Sequence, residues 1–244
     1  MLGCSGTFPG PHSGCSSYLL RDDGFTLLVD AGSGAVGALQ EHAQLFGVDA
    51  VFLSHLHADH CLDLVSYTYA RRYDPAGAHP TLPVFGPEGT AARLAQAGGW
   101  GQQDGLAKVY DFRTVEAGST EIGPFRVDLA RTNHPVLCHA ARFTSGGRSL
   151  TYSGDTGDCP ELVELARGCD VALFEASWYD GDVNPPGVHL TARESGEHAA
   201  RAGVQRLLLT HVTPWGDRGR THEQAARAYR GDLEVVSSGT TYHI

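Results

Sequence analysis

Apolar and polar positions alternate along this chain in patterns that predict both strands and helices. Strands are predicted where short apolar or alternating runs occur, over 1–4, 16–20, 26–30, 50–53 and 82–85. Helices are predicted where apolar residues recur every three or four positions, over 35–46, 62–73 and 88–97. The regular succession of the two element types predicts an α/β fold in which helices cover sheets.

The middle and the second half of the chain continue this alternation. Short strands with glycine turns between them are predicted over 108–112, 121–122, 125–130, 139–144 and 150–153. The runs 171–174 and 207–209 predict two further, fully apolar strands. Asp158, Thr191 and Thr221 each stand three residues before Glu or Gln, a pattern typical of a capping box at a helix N-terminus. Three further helices are therefore predicted.

The segment 54–60 reads Ser-His-Leu-His-Ala-Asp-His and directly follows a predicted strand. Imidazole nitrogen and carboxylate oxygen are ligands of divalent cations such as Zn2+, and four of them in one short segment predict a metal site. Residues two apart in extended backbone point the same way, so His55 and His57 can share one cation. Asp59 and His60 follow around a turn and can face a second cation. A site for a single cation and a solvated histidine-rich loop are the alternatives.

Polar residues end several of the predicted strands. In sheets covered by helices, strands exit toward loops on one rim, where binding sites collect. The residues that follow strands in this way are Asp30, His55, His134, Asp155, Glu175 and His211. We therefore expect these side chains to lie together around the segment 54–60.

Five blocks of the sequence resemble, in order and spacing, the metallo-beta-lactamase fold hydrolases. The blocks are 28–32 (Leu-Val-Asp-Ala-Gly), 54–60, 133–135 (Asn-His-Pro), 153–156 (Ser-Gly-Asp-Thr) and 209–211 (Leu-Thr-His). The resemblance spans nearly the whole chain. It implies a four-layer αββα sandwich, formed by a single domain over 1–244, with a dinuclear metal site at one edge of the sheets.

Further segments narrow the resemblance. The segments 159–178 and 189–192 are similar to the branch shared by ribonuclease Z and small bacterial phosphodiesterases. The blocks 2–6, 153–157 and 174–178 resemble actinobacterial proteins described as atypical class II cyclic-nucleotide phosphodiesterases. The implied activity is metal-dependent hydrolysis of small phosphodiesters, above all cyclic nucleotides such as cAMP. A ribonuclease Z-like tRNA 3′ endonuclease, a lactone or ester hydrolase of the same fold and an iron-containing redox scaffold are the alternatives.

The resemblance also implies which residues bind the cations. His55, His57 and His134 would hold one cation, Asp59, His60 and His211 the other, and Asp155 would bridge the two. Zn2+ is the first expectation for both cations, with Mn2+ or Fe as alternatives. A solvent molecule between the cations is the expected nucleophile.

The expected catalytic set comprises Asp59, Glu175 and His189. By the family pattern His189 is the general acid, and Glu175 holds its other ring nitrogen. A plain helix-start role for His189, beside the predicted cap Thr191, is the alternative. Asp30 is expected to accept a hydrogen bond from a ligand imidazole rather than to bind metal.

The charge balance limits the partners of this protein. Its 244 residues include 28 acidic and 18 basic side chains, for a formal net charge of −10. Proteins that grip long nucleic acids need clustered lysine and arginine, so the charge favours a small anionic substrate over a stable nucleic-acid complex. No apolar run approaches the roughly 20 residues of a membrane span, and no secretory signal is recognisable. The six cysteines show no paired spacing, so we expect a cytoplasmic protein with reduced thiols.

Three aromatic residues, Trp178, Tyr179 and Trp215, follow strands that end at the predicted rim. Each is a candidate for stacking on a nucleobase, with core or interface packing as the alternative. A homodimer is expected from the resemblance alone.

Overall fold

The computed structural model describes residues 1–101 and 105–244, and in these residues two β-sheets face each other between two helical layers. A parallel ribbon of β1 (Gly3–Ser5) and β2 (Gly14–Cys15) stands beside the sheets. The five-stranded sheet contains, in spatial order, β3 (Tyr18–Asp22), β4 (Phe25–Val29), β5 (Ala50–Phe52), β6 (Leu82–Gly86) and β7 (Tyr110–Thr114). The seven-stranded sheet contains β8 (Gly118–Ile122), β9 (Phe125–Arg131), β10 (His139–Ser145), β11 (Arg148–Tyr152), β12 (Val171–Glu175), β13 (Arg206–Thr210) and β14 (Asp232–Val235).

Helices cover the outer face of each sheet. The five-stranded sheet packs against α1 (Ala35–His42), α3 (Asp63–Arg72) and α4 (Thr90–Ala97), and the short α2 (Ala58–Cys61) precedes α3. The seven-stranded sheet packs against α5 (Pro160–Leu165), α6 (Ala192–Ala202) and α7 (Arg218–Ala228). A 3-10 turn, Leu106–Lys108, leads into β7. The four-layer αββα sandwich predicted from the sequence is therefore confirmed.

Strand direction brings the ends of the central strands to one rim. In the five-stranded sheet, β3 and β4 form an antiparallel hairpin, and β4 to β7 run parallel. In the other sheet, β8 to β11 form an antiparallel meander, and β11 to β14 run parallel. The carboxyl ends of parallel strands meet at the same edge of a sheet, which is where polar residues follow β4, β5, β11, β12 and β13.

The apolar runs are explained by burial on both faces of each sheet. In β4, Leu27 and Val29 enter the core between the sheets, whereas Leu28 packs against the helices outside. Leu208 in β13 likewise faces inward, while Leu207 and Leu209 face the outer helices. Strands covered on both faces have continuous apolar runs rather than a strict alternation, as observed here.

Several predicted boundaries are wrong. The helix predicted over 35–46 ends at His42, and Ala43 is extended, because the following residues form a loop closed by a bond from the Gly47 amide to the Gln44 carbonyl, 2.9 Å. Phe46 still packs on Tyr67, with ring centroids 6.4 Å apart, so its burial is tertiary rather than helical. The sequence pattern did not predict β14, a partly exposed edge strand.

Only one of the three predicted capping boxes forms. Thr191 caps α6 reciprocally with Glu194, as predicted. The prediction for Asp158 is wrong, because Cys159 occupies the cap position and the Asp158 carboxylate lies 3.2 Å from His198 Nε2. Thr221 is also not a cap, since it lies inside α7, which begins after the capping side chain of Asp217.

Within residues 1–101 and 105–244, no helix has the length and apolar character needed to cross a bilayer.

The contact between α6 and α7 generates a test of the fold. A side chain added at Gly196 in α6 would lie 2.6 Å from the Ala225 carbonyl oxygen of α7, whereas one added at the exposed Gly37 in α1 would meet open space. We expect Gly196→Ala to destabilise the protein by about 1–3 kcal/mol through overpacking. Gly37→Ala should stabilise it by about 0.5–1 kcal/mol, because alanine is the better helix former. Urea unfolding measures both, and an equal gain for the two variants would contradict the close helix contact.

Candidate metal centre

The rim collects the polar side chains that the sequence placed at strand ends. Asp30 follows β4, His55 follows β5, Asp155 follows β11, and His211 directly follows β13. Glu175 is the last residue of β12, and His134 reaches the same place from the loop after β9. The prediction that one rim unites these residues is confirmed.

One group of ligand atoms combines His55, His57, His134 and Asp155, all within 4.8 Å of one another. His57 Nδ1 lies 3.1 Å from His55 Nε2 and 3.1 Å from His134 Nε2. Asp155 adds its Oδ2 atom, 3.5 Å from His55 Nε2. Three imidazole nitrogens and one carboxylate oxygen thus surround a common point, which is a donor set suited to a divalent cation.

A second group adjoins the first and combines Asp59, His60, Asp155 and His211 within the same limit. His211 Nε2 lies 3.1 Å from His60 Nε2 and 3.2 Å from Asp59 Oδ2. Asp155 contributes its other oxygen, Oδ1, 3.2 Å from His60 Nε2. Asp155 therefore presents one carboxylate oxygen to each group.

Asp30 holds a histidine of each group in place. Its Oδ2 atom accepts hydrogen bonds from His60 Nδ1, Ser54 Oγ and Tyr152 OH, each 2.7 Å long, and its Oδ1 atom accepts one from the Ser54 amide. Because Ser54 Oγ donates to Asp30, it can accept from His55 Nδ1, 3.0 Å away. In the neutral form of each ring, Nδ1 then carries the proton and Nε2 turns a lone pair to the site. Asp30 therefore accepts a hydrogen bond from His60, one of the imidazoles predicted to bind metal, as the sequence predicted.

The other imidazoles are oriented in the same way. His134 Nδ1 donates to the Val188 carbonyl oxygen at 2.8 Å. His211 Nδ1 lies 2.7 Å from Ser177 Oγ, which in turn donates to Glu175 Oε2 at 2.6 Å. His60 Nε2 and His211 Nε2 consequently face each other 3.1 Å apart, an arrangement that needs either a proton or a cation between the two nitrogens.

The residues present fit divalent cations. The Oδ1 atom of Asp155 is buried and has no hydrogen-bond partner among the described residues. Burial lowers the pKa of His55, and burial also lowers the pKa of His57 and of His134, which favours the neutral, metal-binding form of each. His60 differs: burial lowers its pKa, but Asp155 and Asp30 outweigh burial and hold the pKa well above its usual range. A cation that binds here must therefore displace a proton, so its affinity depends on pH.

His189 and Glu175 stand beside the two groups. His189 Nδ1 lies 3.0 Å from Glu175 Oε1, an oxygen that also accepts the Thr156 amide at 2.7 Å. The His189 ring centroid is 5.6 Å from that of His134 and 5.3 Å from that of His211. Burial lowers the pKa of His189, but the Glu175 carboxylate outweighs burial and brings the pKa to about 9. His189 thus lies at the rim with Nδ1 engaged by Glu175, which favours the charged form of the imidazole.

Sequence reasoning missed three groups that shape the centre. The Thr7 amide donates to Asp59 Oδ2 at 2.8 Å, but a backbone donor leaves no signal in residue type. Ser54 and Ser177 pass hydrogen bonds from imidazoles to buried carboxylates. Both serines lie within two residues of a predicted site residue, and that proximity was the available signal.

The predicted aromatic candidates differ in their surroundings. Trp178 packs edge-on against His189, with ring centroids 5.0 Å apart. Tyr179 is covered by the Arg220 guanidinium, 4.0 Å from the ring centroid, and its hydroxyl donates to the Asp217 carbonyl oxygen. Trp215 alone of the three has a largely exposed side chain, at 73%.

Comparisons with known proteins agree with this geometry. Residues 26–212 match the Beta-lactamase superfamily domain. The chain is 43% identical over 254 residues to protein ML1173 of Mycobacterium leprae, an alignment that covers 100% of this chain and 87% of that protein. It is 31% identical over 265 residues to ribonuclease Z of Mycobacterium bovis, covering 96% of this chain and 94% of that enzyme.

Solved structures show the same architecture. The metallo-beta-lactamase fold protein YhfI from Bacillus subtilis matches with a TM-score of 0.87 and 28% identity, covering 99% of this chain and 97% of that one. At 20% and 14% identity, the short form of human tRNase Z and yeast PDE1 share the fold, with TM-scores of 0.76 and 0.71. The chain therefore belongs to the metallo-beta-lactamase superfamily, in the branch of ribonuclease Z, and is a metal-dependent hydrolase.

Proposed function

We propose that the protein binds two divalent cations and hydrolyses small phosphodiesters, with cyclic nucleotides such as cAMP as substrates. The observation that carries the proposal is the Asp155 carboxylate, which offers one oxygen to each of two adjoining groups of imidazoles. His55, His57 and His134 would hold one cation, and Asp59, His60 and His211 the other. Nitrogen-rich ligands of this kind favour Zn2+, with Mn2+ and Fe as alternatives. When bound, two such cations lower the pKa of water and offset charge on phosphoryl oxygens.

His189 supplies the proton that the leaving group needs. An alkoxide is a poor leaving group, so cleavage of a phosphodiester is faster when an acid protonates the departing oxygen. Glu175 keeps His189 Nδ1 engaged at 3.0 Å and stabilises the charged imidazole, which leaves the Nε2 proton for transfer. Glu175 is itself fully buried and held by the Thr156 amide and Ser177, so the imidazole is aligned before substrate arrives.

Charge supports a small substrate. The chain carries a net charge of −10, and many of its exposed or half-buried arginines are already paired with carboxylates. These arginines are Arg113, Arg126, Arg148, Arg167, Arg193 and Arg220. A long polyanion would have to displace these pairs, whereas a cyclic nucleotide needs only the cations and a few contacts. The similarity to ribonuclease Z keeps tRNA 3′ processing as the second candidate.

The remaining expectations concern the cell and the assembly. All six cysteines are buried and unbridged in the fold, which supports a reducing compartment such as the cytoplasm. A homodimer remains an expectation from the family, and the molar mass in solution would test it.

Removing Asp155 tests the two-cation site. Because Asp155 belongs to both groups, we expect Asp155→Ala to lower the metal content from two cations per chain to one or fewer. Asp158→Ala is the matched control, since this exposed carboxylate lies outside both groups and its loss should leave two cations bound. Elemental analysis after dialysis measures both variants. One cation in the unaltered protein would establish the single-cation alternative instead.

Replacing His189 tests the general acid. We expect His189→Gln to keep both cations and to reduce kcat for an alkoxide-releasing cyclic nucleotide by about 10²–10⁴-fold. The loss should be much smaller for bis(p-nitrophenyl) phosphate, because p-nitrophenolate departs without a proton. His222→Gln, at an exposed position on α7, is the matched control. Equal losses with both substrates would show that His189 does not protonate the leaving group.

A substrate panel tests the proposed activity as a whole. The metal-loaded protein is assayed with cAMP, 2′,3′-cyclic nucleotides, bis(p-nitrophenyl) phosphate, precursor tRNA and a lactone. We expect kcat/KM to be highest for a cyclic nucleotide, because two cations suit a phosphodiester and the acidic chain disfavours a long polyanion. Preferred cleavage of precursor tRNA would establish the ribonuclease Z alternative, and preferred opening of the lactone would establish the ester hydrolase.

A further inference from the structure

Two aromatic side chains remain exposed beside the metal centre although they are large and apolar. Phe8 is 37% exposed and Trp215 is 73% exposed. Their ring centroids lie 4.8 Å apart, with the planes tilted by 39°. Indole and phenyl rings are normally buried because of the apolar area they carry, so an exposed pair needs an explanation.

Both rings belong to loops that meet at Asp59. Phe8 follows Thr7, whose amide donates to Asp59 Oδ2 at 2.8 Å. Trp215 stands four residues after His211, whose Nε2 atom lies 3.2 Å from the same carboxylate oxygen. The aromatic pair is therefore attached to the backbone that carries the second group of ligands.

These loops are held tightly together. The Gly6 amide donates to the Val212 carbonyl oxygen at 3.1 Å, and a side chain at Gly6 would come within 2.5 Å of the His211 carbonyl oxygen. Thr7 adopts a left-handed conformation, with φ of 68°, which is unfavourable for a β-branched residue. Strain of this kind persists where surrounding contacts enforce it and is concentrated at functional sites. The exposed rings therefore stand on ordered backbone.

We propose that Trp215, buttressed by Phe8, stacks on the nucleobase of the substrate and sets its specificity for nucleotides. The inference rests on the proposed phosphodiesterase function. The phosphate would lie at the cations while the base covers the exposed indole face. Every base has a π-face, so such a surface selects for the presence of a base rather than for its identity.

The chain offers a matched control for exposed aromatic surface. Tyr69 and Tyr73 form a stacked pair with ring centroids 6.1 Å apart, and Tyr73 is 72% exposed. This pair lies at the C-terminal end of α3, whereas His60 lies in α2, three residues before the N-terminal end of α3. Tyr73→Ala consequently removes an exposed ring of similar accessibility away from the site.

The first arm of the test is kinetic. The metal-loaded Trp215→Ala, Trp215→Phe and Tyr73→Ala variants are compared on cAMP and on methyl riboside 3′,5′-cyclic phosphate, which lacks the base. We expect Trp215→Ala to raise KM for cAMP by about 5- to 150-fold, the equivalent of about 1–3 kcal/mol of stacking. KM for the base-free ester should change less than about twofold, because this substrate has no base to stack on the indole. Trp215→Phe should restore most of the loss, and Tyr73→Ala should match the unaltered protein.

The second arm measures binding without turnover, so it stays informative if the protein cleaves no cyclic nucleotide. Calorimetry compares adenosine 5′-monophosphate with ribose 5-phosphate on the same metal-loaded proteins. The stacking role is supported if the unaltered protein binds the nucleotide more tightly than ribose 5-phosphate, if Trp215→Ala loses this difference and if Trp215→Phe regains it. Equal binding of the two ligands by the unaltered protein, or an equal weakening of both in Trp215→Ala, overturns it. If the protein hydrolyses no diester but still binds the nucleotide more tightly than the base-free ligand, only the proposed activity is refuted. The stacking role of Trp215 would then stand.

Discussion

The buried Asp30 carboxylate is the contact on which the metal centre depends. It accepts four hydrogen bonds, and through them it orients one imidazole in each group of ligands. It also joins the two sheets, because Tyr152 donates from β11 while Asp30 itself follows β4. A buried carboxylate is costly unless its lone pairs are occupied, and here four donors occupy them. The same bonds that make its burial tolerable therefore fix the geometry of the centre.

The position of these side chains at the rim also requires strained backbone. Asp30 and His211 both adopt left-handed conformations, with φ of 55° and 56°, although neither is glycine. Each directly follows a parallel strand whose neighbours lock it into the sheet. The left-handed residue turns the chain sharply, so that the side chain points into the space between the sheets' ends. Strain of about 1–3 kcal/mol at such a residue is sustained because the strand before it is buried on both faces.

The sequence predicted which side chains gather at the rim better than it predicted the contacts that hold them there. Residues 54–60 were informative because their imidazoles and carboxylate are close in the chain, and His134, Asp155 and His211 could be placed because strand ends share a rim. The contact of the Thr7 amide with Asp59 was out of reach, since a backbone donor is independent of residue type.

Contacts between residues far apart in the chain also explain why two of the helix-cap predictions are wrong. The capping pattern at 158–161 satisfies the rule in sequence, yet Asp158 lies near His198 of α6, a neighbour known only from the fold. At 221–224 the pattern occurs inside a helix that Asp217 already caps. Local patterns therefore succeed where the partners are adjacent in the chain and fail where a distant element competes.

The imidazole rings of the metal centre are held in place by the protein itself, and the backbone beside them carries one of the exposed aromatic rings. In four histidines of the centre, Nδ1 forms a hydrogen bond with the surrounding protein, so cation binding need not order these rings. The four are His55, His60, His134 and His211. The backbone that engages Asp59 continues directly into Phe8, and consecutive Cα atoms are only about 3.8 Å apart. Cations and aromatic surface are thus set by one short stretch of chain. A ligand that uses both would have to carry a base and a phosphate in one molecule, which a mononucleotide does and a base-free diester does not.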